Sequence, residues 1–161
     1  MGIGKQEDQV KIIDFGLAKK YRDDRTHVHI ACRNNRPITG TTMYMSIHSH
    51  LGLDRSRRDD LKSVAYVLIY FLRGSLPWKD IKVMTTRRQR DSVLRKKMSF
   101  LADSTCPDEF FVFLKYARDL KFESKPNYTF LRQLFRDLST REGYKYDYEF
   151  DWHMQNQPSS Q

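Results

Sequence analysis

Residues 59–74 read DDLKSVAYVLIYFLRG, and their spacing decides the fold class. Leu61, Val64, Ala65, Leu68, Ile69 and Leu72 fall at i, i+3, i+4, i+7, i+8 and i+11, which lays a broad apolar stripe along one helix. That helix is expected to stop near Gly74, with Pro77-Trp78 in the loop beyond. Further along, residues 86–98 read as a more basic helix with Val93 and Leu94 facing inward. Pro107-Asp108 is an N-terminal signal for a third helix, which buries Phe110, Phe113 or Phe111, Leu114 and Ala117. A fourth opens at Asn127-Tyr128 and carries Leu131, Leu134, Phe135 and Leu138 at helical spacing. The chain reads as mainly α.

Toward the N-terminus the pattern fades. From Leu17 to Arg58 the sequence is polar and basic, is broken by Pro37, Gly40 and Gly52, and is expected to be a long irregular segment; segments of that length inside a domain are usually functional. Before it, Val10 to Ile13 is a β-branched run that reads as a short strand entering the turn Asp14-Phe15-Gly16. Gly4 to Asp8 is turn-like, so the strand expects a hairpin partner, and only Met1 to Ile3 precede the turn. The expectation is a β remnant in a chain that starts late.

The length of 161 residues bounds the chain to one domain, and 39% hydrophobic residues are enough for a core. No stretch approaches the roughly 20 apolar residues of a membrane span. The first ten residues lack a signal-peptide core, and Gln6 stands where N-myristoylation after Gly2 wants Ser or Thr. Cys32 and Cys106 have no metal-like spacing and read as free thiols in a reducing compartment, cytoplasmic or nuclear. The formal charge of +9 favours acidic or phosphorylated protein partners; no nucleic-acid fold signature accompanies it. His27-Val28-His29 and His48-Ser49-His50 have no Cys or carboxylate companions at ligand spacing and are not read as metal sites. Asn127-Tyr128-Thr129 is a formal glycosylation sequon, but Asn127 reads better as a helix cap.

Asp14-Phe15-Gly16 matches the D-F-G of the protein-kinase signatures, where the Asp chelates magnesium on ATP and the Phe sets the active state. The tripeptide alone is weak, and its plain reading is a strand-ending turn. KIIDFGLAKKYRD (11–23), ITGTTMY (38–44), HLGLDRSRRDDLKS (50–63), GSLPW (74–78), KPNYTFLRQLFRDL (125–138) and YDYEFDW (146–152) follow in one order. Together they resemble the casein kinase I family of Ser/Thr protein kinases, from Met1 to Trp152. The resemblance implies the C-terminal lobe of a protein-kinase fold over residues 1–152, followed by a polar, disordered tail over 153–161. It implies ATP and Mg as the family's cofactors, with Asp14, Phe15 and Gly16 at the cofactor and Asp14 on the metal. It implies an activation segment from Leu17 to about Thr42, and Gly40, Thr41 and Tyr44 as the peptide-binding loop. Asp60 is implied as the buried anchor that opens the central helix, a role that a plain N-terminal cap would also explain. Ser46-Ile47-His48 lies where most kinases carry A-P-E; the family has Ser-Ile-Asn there.

The sequence also departs from the kinase pattern. These 161 residues contain no G-x-G-x-x-G, V-A-I-K or H-R-D-x-x-x-x-N. The catalytic base, the second magnesium ligand and the phosphate-gripping Lys are missing from them, and one carboxylate is a weak site for a strongly hydrated ion. The chain is therefore expected to be inactive by itself. Met43 replaces the family's Arg, which with a Lys matched to Lys82 forms an anion pocket, so weaker recognition of primed substrates is expected. Val64-Ala65 stands where the family has Leu-Gly. Arg55, Arg57 and Arg58 are read as structural or substrate-facing. Arg87-Arg88-Gln89-Arg90 matches a stretch proposed in the family for nuclear import, though a solvated helix face explains it as well, and Arg95-Lys96-Lys97 is read as part of the same surface. Two functions remain open: a piece of a casein kinase I-type enzyme, or a non-catalytic kinase-like binding module or decaying gene copy. An isolated lobe of this kind is expected to expose apolar surface and to be marginally soluble.

Overall fold

A computed structural model describes residues 9–82, 85–100, 106–145 and 147–148. Five helices follow in order: α1 (Ile47–His50), α2 (Arg57–Arg73), α3 (Thr86–Ser99), α4 (Asp108–Asp119) and α5 (Tyr128–Arg141). Four of them stand where periodicity and capping signals put them. The fold is mainly α, as expected. Val10–Ile13 is not a strand: the only β pairing among the described residues is an isolated antiparallel bridge between Arg22 and His29. A strand needs a neighbour to take its backbone hydrogen bonds, and the expected partner Met1 to Ile3 lies outside the described residues. So do the tail 153–161 and most of 146–152.

Contacts divide the chain into two compact units, Lys20–Arg136 and Met1–Lys19 with Asp137–Gln161. In the larger unit α2 packs along α4, and the core gathers Ala65, Tyr66, Ile69, Trp78, Val93, Phe113, Leu114 and Leu131. Aromatic edges lock it: Trp78 meets Tyr66 at 5.1 Å and Phe100 at 5.4 Å between centroids, both near perpendicular. On α2 the core-facing line is Lys62, Ala65, Tyr66 and Ile69, about one position round from the expected stripe; Val64 and Leu72 are 45% and 46% exposed and Phe71 is 75% exposed. The helix is apolar on two faces, and the sequence does not say which of them the core covers.

Ser56 opens α2: its N–H donates to Asp59 Oδ2 at 3.0 Å and its hydroxyl donates to the Phe122 carbonyl at 2.7 Å. Gly74, left-handed at φ 68°, closes it. Asn127 caps α5 as expected, accepting from the Phe130 N–H at 3.0 Å. The segment between Lys20 and Leu53 is irregular but well tethered. Asp23 accepts from the N–H groups of Arg25 and Thr26 to close a small antiparallel loop. The buried Asp54 accepts from the Arg33 N–H at 3.1 Å and pairs with Arg36 at 3.0 Å. In the smaller unit the chain over residues 9–14 has no regular structure, Phe15–Leu17 forms one 3-10 turn, and Leu138 is buried.

Candidate functional site

Asp14 sits in the left-handed region, φ 60° and ψ 77°, and its carboxylate accepts from the Gly16 N–H at 3.1 Å. A Cβ at position 16 would lie 3.1 Å from that oxygen, so glycine suits the turn. Phe15 is exposed. Among the described residues no group of three His, Cys, Asp or Glu side chains stands close enough to hold a metal ion. Asp14 is thus a single carboxylate on an open turn. The described residues alone do not fit a magnesium or Mg-ATP site.

The loop over residues 40–45 is built differently. Gly40 adopts φ 102°, a conformation that side-chain-bearing residues rarely enter. A turn follows in which the N–H groups of Tyr44 and Met45 both donate to the Thr41 carbonyl at 3.0 Å. The turn is held from below: Trp78 Nε1 donates to the Met43 carbonyl at 2.8 Å, and Lys97 Nζ donates to the carbonyls of Thr42 at 2.8 Å and Met45 at 2.7 Å. The Tyr44 ring stands edge-on to Tyr70, 6.0 Å between centroids. Gly40, Thr41, Tyr44, Asp59 and Asp60 share one cleft of about 190 Å³. Lys82 is exposed and is not among the residues lining that cleft, and the Met43 side chain packs against the core.

Asp60 is exposed, not buried as expected; its carboxyl is raised above the usual value by local desolvation and then by the charge of Asp59. The buried organiser is its neighbour. Asp59 is 2% exposed and accepts from Ser46 Oγ at 2.7 Å as well as from the Ser56 N–H. Desolvation pushes its pKa up, but hydrogen bonds from His48, Ser46 and Ser56 and the charge of Lys62 outweigh it and hold the carboxyl at about 2. His48 Nδ1 lies 3.2 Å from Asp59 Oδ1 and 2.9 Å from Lys62 Nζ. Unprotonated, that nitrogen accepts from Lys62; protonated, it donates to Asp59. Ser46-Ile47-His48 thus docks through two side chains onto α2.

The basic clusters divide by burial. Arg58 is buried with its guanidinium 5.5 Å over the Phe122 ring, and Arg57 lies 4.4 Å over Tyr21 and donates to the Glu123 carbonyl at 2.8 Å. Both are structural. Lys97 overturns the surface reading of Arg95-Lys96-Lys97: it is 0% exposed, 5.0 Å from the Tyr66 ring centre and 5.2 Å from that of Trp78. Burial lowers its pKa from 10.5 to about 7. Near it His50 is buried and lowered to about 4, by desolvation and then by the positive charges of Lys97 and Arg90. Sequence reading named Ser46 and His48 without their contacts and missed the buried roles of Asp59, Lys62 and Lys97. The Ser56-x-x-Asp59 spacing, close to a capping box, is the one signal that could have marked Asp59.

Residues 4–72 match the family model of the fungal protein kinases. The chain is kinase-like. The matched stretch contains the Asp14 turn, the loop over residues 40–45, the docked Ser46-Ile47-His48 and nearly all of α2, so the kinase likeness covers the cleft and its buried anchor together. None of the described helices is long and apolar enough to cross a membrane.

Proposed function

We propose that this kinase-like chain is the helical lobe of a casein kinase I-type Ser/Thr kinase, with the Gly40–Tyr44 loop as the seat of the acceptor peptide, and that these 161 residues do not transfer phosphate by themselves. The observation that carries the reading is the cleft in which Gly40, Thr41 and Tyr44 meet Asp60 at the N-terminus of the central helix. The ordered casein kinase I-like motifs beyond residue 72, GSLPW and KPNYTFLRQLFRDL, support the finer family. In a complete enzyme Asp14 would bind the magnesium of ATP, and the loop would present a serine or threonine from an acidic or phosphorylated protein. The working compartment on this reading is the cytoplasm, the nucleus or both.

The test uses the 161-residue chain with labelled ATP, magnesium and a serine peptide carrying three aspartates before the serine. The expected result is no turnover above that of the Asp14→Asn variant, with saturable binding of the peptide that an equally acidic peptide competes away. Turnover that depends on Asp14 would overturn the inactive reading, and absence of peptide binding would overturn the acceptor seat. A second reading, a non-catalytic module that engages substrates or regulators of an intact kinase, is favoured by Met43. Its side chain packs against the core at the position where the family presents an anion-gripping arginine.

A further inference from the structure

We propose that Lys97 is a positioning residue for the acceptor loop: its Nζ–H donors, buried beneath Tyr66 and Trp78, hold the carbonyls of Thr42 and Met45 and so fix the turn that carries Thr41 and Tyr44. The inference rests on the reading of that loop as a peptide seat. A fully buried lysine is rare and is normally matched by a carboxylate. Here the partners are two carbonyls at 2.8 and 2.7 Å and two aromatic rings at 5.0 and 5.2 Å. Nothing in the helical packing alone calls for this arrangement. A methionine or leucine would fill the same space on α3 without the cost of burying an ammonium, whereas only a long donor-bearing side chain reaches two backbone acceptors of a loop more than fifty residues earlier.

The two carbonyls bracket Met43 and Tyr44, and the Met43 carbonyl takes the Trp78 N–H, so three donors from beneath fix three of four successive peptide groups. The lysine is itself held. Its backbone carbonyl accepts from Arg118 on α4 at 2.7 Å, and the same guanidinium accepts no slack because it also donates to the Phe100 carbonyl at 2.7 Å. The loop is therefore tied through Lys97 to α3 and α4. Charged or neutral, the Nζ keeps enough N–H donors for both carbonyls, so the tie persists across neutral pH.

The experiment compares the chain with Lys97→Met and Lys97→Arg. Methionine keeps the volume and removes the donors; arginine keeps donors and charge. The expected result is that amides 43–46 exchange at least tenfold faster in K97M, while amides of α4 and α5 keep their protection, and that K97R recovers part of the loss. Unchanged exchange of the loop in K97M would overturn the proposal, since a residue that only fills space is replaced by methionine without loss. If K97M fails to fold, the wild-type chain decides. A Lys97 ammonium signal in 15N spectra at pH 6, protected from solvent exchange, supports the tie, and one exchanging as fast as that of Lys96 overturns it. Binding of the acidic serine peptide is read separately. A loosened loop with unchanged peptide affinity keeps the role of Lys97 and removes the acceptor-seat reading; a loosened loop with several-fold weaker binding supports both.

Discussion

Ser46 Oγ donates to Asp59 Oδ1 at 2.7 Å, joining the end of the loop over residues 40–45 to the first turn of α2 through a buried carboxylate. The same carboxylate takes the Ser56 N–H and faces His48, so one side chain organises a loop, a helix start and the short helix α1.

Removing that carboxylate is expected to be costly. Asp59→Ala leaves the Ser46 hydroxyl and the Ser56 N–H without their acceptor and the buried Lys62 without its counter-charge, and breaking a buried charged network costs about 3–5 kcal/mol. Urea unfolding of the variant measures the loss. A cost below about 1 kcal/mol would mean that the network adds little.

The acid limb of stability has a definite sign. The Asp59 carboxyl titrates at about 2 in the fold against 3.8 in the open chain, so the unfolded state binds more protons between those values. Its contribution is full above pH 4 and is lost as the pH falls through 2. The midpoint of urea unfolding is expected to drop over that window, and Asp59→Asn is expected to flatten the drop.

At alkaline pH the buried lysines act with the same sign. Lys97 and Lys62 are lowered from 10.5 to about 7 and about 8, both chiefly by desolvation. Between the folded and unfolded values the unfolded chain again binds more protons, so stability rises with pH from about 7 toward 10. Melting curves from pH 6.5 to 9.5 check this, and Lys97→Met is expected to remove about half of the slope.

Trp78→Phe keeps an aromatic ring in the core but loses the N–H that reaches the Met43 carbonyl. The expected cost is about 1–3 kcal/mol, the range for a buried acceptor left without its donor. Thermal unfolding measures it, and a variant as stable as the wild type would remove Trp78 from the list of loop supports.

On the proposed casein kinase I reading, Met43→Arg supplies the residue type with which that family grips phosphate. Binding of a phosphoserine peptide to the variant is expected to tighten relative to the unphosphorylated peptide, because arginine offers a two-pronged contact and methionine none. Equal affinities for the two peptides would show that position 43 does not face the anion.

The second apolar face of α2 makes a prediction about handling. Val64, Phe71 and Leu72 are exposed on a helix whose other side is core. Phe71→Gln is expected to reduce light scattering at high concentration while changing stability by no more than about 0.5 kcal/mol.

How much of this was legible in the sequence depends on whether the cause is local. Helix periods, the Gly74 stop and the Asn127 cap are written within a few residues of where they act, and they appear where expected. The strand at Val10–Ile13 was read from composition, but pairing is a property of two segments. The face of α2 was misread by about one position because Val64 and Leu72 are as apolar as Ala65 and Ile69. Lys97 and Asp59 were missed for a related reason. A lysine among arginines reads as surface, and the second of two adjacent aspartates reads as the cap, until Tyr66, Trp78 and two carbonyls, or Ser46 and His48, converge from distant parts of the chain. The motifs of the site were plain in the sequence; what fixes them was not.

The tie between Trp78 and the Met43 carbonyl bears on how such a loop can diversify. Because the indole grips a backbone oxygen and not a side chain, residue 43 can be exchanged without touching the grip. A lineage can therefore alter the side chains that the loop presents, one at a time, while inheriting its course unchanged. Replacing the indole would put every one of those inherited solutions at risk together. Variation is expected to accumulate at 42 and 43 long before it reaches 78.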